Sequence, residues 1–515
     1  MISSDECSPN LYSVTGISMG DEGKGRVVHE ILDQIQVERG IPPAGVIKVN
    51  GGANAGHTAA GLKLNLLPSG VGNPAVEKLI IGSGVVADPR KFLWEAKPLE
   101  KRGISVFERL LIDEKTKMSD ITHRLLDLAW ENYRVKQLGM ENRGSTGRGI
   151  SPAYCDETSQ WQIFYQQFRE DRIEFKTLLL SRVQRAMDTI RYVCKVDEED
   201  WDNFFTILTE AETKANQEAK NEGVFQSAEF DFSIFKGKVP YTLNFDNFEE
   251  MYWGAGQQLV SCIGDTRDEL LKTKSKSSVM VAEFGQAYWL DKRHGFTPNV
   301  TASHTTTSEL FASAGIPIQP TLTIGCCKAY DTKVGTHLFL TKIDHENHLL
   351  GNKLAKLEFG TSTGRQRMVG WFDGVEKGNA LRYGGFDELV INKLDALSDD
   401  GKSSLELKIC VAYRKACGEI TKCVPRQESI RKQISPVYET MPGWKDDLSK
   451  IDSFTDLPNE AKHYIARMVN SIIESAYPHG AKGIKLPKIR FIGVGPDPSQ
   501  IISDIPNTLD LINNF

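Results

Sequence analysis

The chain has 515 residues, 40% hydrophobic and 25% charged, with a net charge of −6. That is the make-up of a soluble globular protein; the acidic balance gives no nucleic-acid footprint, and no run of about 18 apolar residues offers a membrane span. Nine scattered cysteines without a Cys-x-x-Cys pair, and an N-terminus lacking the basic and apolar regions of a signal peptide, predict reduced thiols and a cytoplasmic location.

The first apolar run, 11–18, reads as a strand, and a helix is predicted from near Arg26. Between them lies Met19-Gly20-Asp21-Glu22-Gly23-Lys24-Gly25. The glycines allow a tight turn and close approach of a ligand. A helix N-terminus offers unpaired N–H groups to an anion, and Lys24 adds a full charge. Asp21 is out of place in such a cradle unless it binds a metal or moves a proton. The stretch lacks GxxxxGK[ST], so it is no Walker A loop, and a plain strand-to-helix turn competes with the phosphate reading.

Further strand-like runs fall at 46–50, 78–86, 279–284, 321–326, 389–394, 405–413 and 489–494, several nearly continuous in Val and Ile, as strands buried on both faces are. Helical stretches lie between many of them, including one from Ala461 with Pro458 near its start. The alternation predicts an α/β fold: a large, mainly parallel central sheet flanked by helices. The stretch 164–252 breaks the pattern. It is charged, helical and rich in aromatics such as Trp201, Phe204 and Phe230, and reads as an inserted helical subdomain with a local aromatic core.

Several short motifs carry chemistry. Gly51-Gly52-Ala53-Asn54-Ala55-Gly56-His57-Thr58 places a histidine able to donate a proton beside small residues. Gly144-Ser145-Thr146-Gly147-Arg148-Gly149 supplies hydroxyls, amides and a guanidinium, the parts of a phosphate site. The stretch 359–367 holds Arg365 and Arg367, two guanidinium forks suited to a dicarboxylate. Asn392-Lys393-Leu394-Asp395 matches the NKxD pattern in which the aspartate accepts from the guanine N1–H and 2-amino group while the lysine stem covers the ring. Each has a bland alternative: a flexible loop, a structural histidine, a chance tetrapeptide. His345-x-x-His348 lies in a polar segment without partners and reads as a solvated loop rather than a zinc site.

In order and approximate spacing these segments resemble adenylosuccinate synthetase, and the likeness extends to Leu67-Pro68-Ser69-Gly70, Pro152-Ala153-Tyr154, Glu283 to Gln286, 294–307, Lys328-Ala329-Tyr330, Val334-Gly335 and Gly495-Pro496-Asp497. It covers nearly the whole chain apart from 164–252. The resemblance implies one P-loop-NTPase-like domain over 1–515, without Walker A and with the helical insertion. It also implies a two-step, Mg²⁺-dependent ligase: GTP phosphorylates O6 of inosine monophosphate (IMP), and L-aspartate displaces the phosphate to give adenylosuccinate. In that family's terms Asp21 is the base and a Mg²⁺ ligand, the Gly56 carbonyl another ligand, Lys24 the charge stabiliser, His57 the acid at the β-phosphate and Gln286 the holder of O6. Asn54, Ser145, Thr146, Thr301 and Val334 match contacts to the nucleoside monophosphate. Thr363, Arg365 and Arg367 match the aspartate site, and Gly23, Lys24, Gly25, Thr58, Lys393, Asp395 and Gly495 the GTP site. The implied partners are these small molecules and a second copy in a homodimer, with no membrane or nucleic acid.

The chain departs from the pattern in places. A basic pair that reaches the partner's site in the family is absent near Gln160, leaving Arg169, Arg172 or another residue of the insertion as substitutes. Met19 and Ala53 stand where Trp and His are common, and Gly493 where a hydroxyl is usual. Relatives that aminate a guanine nucleotide lose the catalytic aspartate; Asp21 is retained. Two alternatives stay open: a related ligase acting on another 6-oxopurine (deoxy)nucleotide such as (d)GMP, and a degenerate nucleotide-binding regulatory protein.

Overall fold

Ten strands form the central sheet, and we number them in chain order: β1 (Leu11–Gly16), β2 (Gly45–Lys48), β3 (Lys78–Ile81), β4 (Leu110–Asp113), β5 (Ile263–Gly264), β6 (Met280–Ala287), β7 (Leu322–Lys328), β8 (Glu388–Asn392), β9 (Lys488–Gly493) and β10 (Ile501–Ile502). Their spatial order is β10-β9-β8-β7-β1-β6-β2-β3-β4-β5. Every pairing is parallel except the antiparallel edge of β9 with β10. The structure, a computed structural model, describes residues 9–274, 278–335, 337–359, 366–398 and 406–515.

Parallel strands need helical crossovers on both faces, and two large cores result. On one face, Tyr12 and Val14 of β1 pack with Val27, Ile31 and Leu32 of helix α1 (Lys24–Arg39). The aromatics of 164–252 belong to that same cluster: Phe168, Phe175, Trp201, Phe230 and Tyr252 are all buried. Their core is thus continuous with the central core. Each large apolar side chain so buried contributes roughly 1.5–3 kcal/mol. The other face carries the helices Gly374–Gly384 and Asn459–Ala476, the second of which starts just after Pro458.

Three expectations shift in detail. Helix α1 begins at Lys24, two residues closer to the acidic loop than Arg26. The run 78–86 divides into β3 and a short Val86–Ala87 strand paired with Lys117–Met118, because the chain turns between them, the Val85 N–H donating to the Gly82 carbonyl at 3.0 Å. The run 405–413 forms Glu406–Arg414, which pairs antiparallel with Ser435–Pro442 and lies in a separate four-stranded sheet. No helix among the described residues is long and apolar enough to cross a membrane. His348 caps the helix Leu349–Leu357, its Nδ1 accepting from the Gly351 N–H at 3.3 Å.

Candidate functional site

The loops that follow β1, β2, β6, β7 and β8 all leave the carboxyl ends of neighbouring parallel strands, where open α/β sheets place their ligand crevice. After β1 the backbone turns through three left-handed residues, Gly20 (φ +98°), Asp21 (φ +60°) and Gly23 (φ +81°). Gly23 caps α1 without a side-chain bond, so the first helical N–H groups stay free for an anion.

The two acids of this loop have different tasks. Glu22 turns inward under Gly16 and is almost wholly buried. It accepts from the Gly20 N–H and from Lys24 Nζ, both at 2.7 Å. Burial pulls the Lys24 ammonium down, but the Glu22 charge and hydrogen bond outweigh it, and its pKa is raised. Asp21 points the other way, its side chain 28% exposed, and takes a charge-assisted hydrogen bond from Arg367 Nε. The cradle's unexpected acid and one of the expected dicarboxylate-binding arginines therefore meet directly. Thr363 and Arg365 lie outside the described residues.

His57 opens the hairpin His57–Ala59/Leu62–Leu64. Its Nε2 lies 3.1 Å from Glu283 Oε1, without hydrogen-bond alignment. Burial lowers the imidazole pKa, partly offset by Glu283. Burial would raise Glu283, yet His57 and Lys48 hold it down, helped by the Ser69 N–H at 2.8 Å and hydroxyl at 2.9 Å. A Cβ on Gly25 would meet the Thr58 carbonyl at 2.9 Å and the His57 Cβ at 3.1 Å, so glycine is what lets this hairpin touch α1. Gly56 is half-buried and Thr58 exposed on that turn.

Gln286 closes β6 in a left-handed conformation, φ +60°. Its Oε1 and the Oδ1 of Asn54 are buried without any hydrogen-bond partner, and both flank Gly51: a Cβ there would lie 3.2 Å and 3.6 Å from them. Asn50 ties this floor to the loop before the helix Ser308–Ala314, donating to Ser303 Oγ at 3.0 Å and the His304 carbonyl at 2.8 Å. Thr301 is anchored by its N–H on the Leu290 carbonyl, 2.8 Å. Ser145 donates to Asp127 at 2.6 Å beside the exposed Thr146. Arg143 joins that loop to Pro298, and its carbonyl lies 3.3 Å from His337 Nε2, so the segments bearing Ser145, Thr301 and Val334 converge.

At the other end, Asn392 closes β8 and donates to the Glu22 carbonyl at 2.7 Å. Lys393 is left-handed, φ +62°, and its Nζ donates to Glu358 at 2.6 Å. Asp395 Oδ1 is buried without a partner, and burial raises its pKa. Arg26 reaches from α1 to the carbonyls of Gly495, Asp497 and Gln500, which fixes the loop after β9 beside Asn392.

Four residues had no assigned role from the sequence: Glu22, Arg26, Glu283 and Glu358. Their partners, two residues away for Glu22 and hundreds away for Arg26, leave no local spacing signal except the Glu-x-Lys pair. Arg172, one of the named substitutes for the missing basic pair, is engaged by Glu249 at 2.8 Å through two bonds; Arg169 is exposed.

Buried acceptors without partners are costly, and four of them (Asn54, Gln286, Asn392 and Asp395) lie at the carboxyl ends of β2, β6 and β8 or in the loops that follow them. The residues present fit a ligand rich in N–H donors. Among the described residues no three or more His, Cys, Asp or Glu side chains gather around a metal position. A Mg²⁺ at Asp21 would therefore take its remaining ligands from carbonyls, substrate oxygens and water, as Mg²⁺ commonly does.

The family model for adenylosuccinate synthetase matches residues 13–225 and 208–502. Adenylosuccinate synthetase of Alteromonas mediterranea is 33% identical over 465 residues, 88% of this chain and 92% of that one. That of Acetivibrio thermocellus is 31% identical over 506 residues, 95% and 98% of the two chains. The solved structure of fully ligated adenylosuccinate synthetase from Plasmodium falciparum superposes with a TM-score of 0.74 at 25% identity, covering 96% and 99% of the chains. Succinoaminodeoxyadenylate synthetase (PurZ) of cyanophage S-2L, solved with dGMP and dATP, shares the fold at a TM-score of 0.51 and 15% identity over 98% and 99% of the chains. With matches running nearly end to end through the loops that build the crevice, the chain belongs to the adenylosuccinate synthetase family and is a ligase of purine biosynthesis.

Proposed function

We propose that the protein joins IMP to L-aspartate at the expense of GTP, with Mg²⁺, forming adenylosuccinate in the cytoplasm as a homodimer. The observation that carries this reading is Asp21, outward in a left-handed turn, together with the unpartnered buried side-chain oxygens of Gln286 and Asp395. Oxygen at C6 of a purine is a poor leaving group until phosphorylated. As O6 attacks the γ-phosphate, the N1 proton must leave, and Asp21 is the base that takes it. Gln286 orients the O6 edge by donating from its amide Nε2, O6 being an acceptor; Asn54, Ser145, Thr146, Thr301 and Val334 hold the monophosphate nucleotide.

The free N–H groups of α1 with Gly23, Lys24 and Gly25 cradle the GTP phosphates. His57, whose imidazole pKa burial lowers, donates to the departing β-phosphate oxygen. Lys393, Asp395 and the Gly495 loop read guanine, Asp395 accepting from N1–H and the 2-amino group. Arg367, released from Asp21 when substrates and metal arrive, turns to the aspartate carboxylate with Thr363 and Arg365. Asp21 and the Gly56 carbonyl would hold Mg²⁺, which would supply neutralisation of phosphate charge.

The test is a nucleotide screen. Purified protein with GTP, L-aspartate and Mg²⁺ is offered IMP, dIMP, GMP and dGMP, and products are separated by chromatography. Adenylosuccinate from IMP is the expected result. Product from dGMP and none from IMP would replace this reading with a related deoxynucleotide ligase, and no product from any would leave a nucleotide-binding protein without ligase activity.

A further inference from the structure

Glu358 is buried and receives three donors: Lys328 Nζ at 2.9 Å, Tyr330 OH at 2.5 Å and Lys393 Nζ at 2.6 Å. Burial raises its pKa, but Lys328 and Lys393 outweigh it and hold the carboxyl at about 2. Lys328, itself buried, already neutralises this carboxylate. Charge balance therefore does not require Lys393, whose side chain is 40% exposed and has water available.

A pair with so exposed a lysine contributes little to stability, about 0–1 kcal/mol. Yet Lys393 sits in a left-handed conformation, which costs a non-glycine residue roughly 1–3 kcal/mol and persists where function demands it. Two residues on, Asp395 keeps a buried oxygen without a partner although the Lys393 charge is within electrostatic reach. The ammonium has two carboxylates to choose from and is drawn to the one that is not needed for the base. The Glu358 carbonyl also accepts from the Arg367 N–H at 2.9 Å.

We propose that Glu358 is a positioning residue: its carboxylate draws the Lys393 ammonium aside and so keeps the Asp395 carboxylate open for a guanine base. This rests on the reading of Lys393 and Asp395 as the guanine end of the site. Without the Glu358 charge, Lys393 folds onto Asp395 and occupies the acceptor.

Calorimetric titration of the full-length protein with GDP and, separately, with IMP tests it. Glu358→Gln should weaken GDP binding roughly tenfold, the loss of one bond to a charged acceptor, and leave IMP binding within about twofold. The double variant Glu358→Gln/Lys393→Met keeps an apolar stem over the ring and has no ammonium to collapse. It should recover most of the lost GDP affinity, which a merely structural carboxylate would not allow. Should Glu358→Gln unfold because Lys328 is left buried and unpaired, the same comparison is made in a Lys328→Met background. GDP binding unchanged in Glu358→Gln, or a double variant no better than the single, overturns the assignment. Wild-type protein that binds IMP but no GDP removes the guanine reading itself, and the role of Glu358 with it.

Discussion

Asp21 holds φ +60°, a region that asparagine and aspartate tolerate better than other side chains with a Cβ. Asp21→Asn therefore keeps backbone and volume and removes only the charge. We expect the turnover number to fall about 10²–10⁴-fold, the usual worth of a positioned base, with the melting temperature unchanged; turnover within about tenfold of wild type would remove Asp21 from the proton transfer. Gln286 is a second strained residue, at φ +60° with an unpartnered buried Oε1. Gln286→Gly relieves roughly 1 kcal/mol of backbone cost and deletes an unsatisfied acceptor. The variant should melt above wild type in differential scanning calorimetry while losing product formation. A melting point below wild type would mean the side chain serves stability instead.

At the scale of elements, the turn from β1 through the cradle into α1 depends on how closely the His57 hairpin lies on the helix. Gly25 sets that distance, since an added Cβ would meet the Thr58 backbone carbonyl at 2.9 Å, and a backbone atom cannot rotate away. Gly25→Ala should cost about 1–3 kcal/mol by overpacking, read from urea midpoints, and raise the KM for GTP as His57 is displaced. A variant equal to wild type in both would show that the hairpin yields freely. This turn was legible in the sequence because glycines, an acid and a lysine crowd into seven positions between a strand and a helix. The central sheet was legible for a similar reason: its long strands are continuous apolar runs. The four-residue β4 and the two-residue β5 and β10 were not, since runs so short carry too little periodicity to stand out. The run 405–413 read as one more parallel strand, because apolar content alone does not reveal which sheet a strand joins. Arg26 looked like the first residue of a helix; its hold on a loop 469 residues away is a tertiary fact with no local trace.

Across the whole molecule, the 164–252 segment reaches the loop bearing Ser145 and Thr146 through one carboxylate. Glu212, in the helix Glu198–Ala215, is buried and pairs with both Arg124 and Arg148. Burial lowers the Arg148 pKa to about 9, with the Arg124 charge adding to the effect. Arg124 in turn donates from Nε to the Gly147 carbonyl at 3.1 Å, immediately after Ser145 and Thr146. The helical segment thus forms one continuous core with the sheet and fixes the loop assigned to the monophosphate. Removing one member of a buried ion cluster leaves the others desolvated and costs roughly 3–5 kcal/mol, whereas surface changes stay within about 0.5 kcal/mol. Glu212→Gln should accordingly lower the urea midpoint sharply and raise the KM for IMP more than that for GTP. Glu210→Gln, an exposed acid on the same helix, should change neither. If Glu212→Gln lost stability while the KM for IMP stayed at its wild-type value, the segment would support the core alone, and the loop bearing Ser145 and Thr146 would owe its position to Asp127 and Arg143.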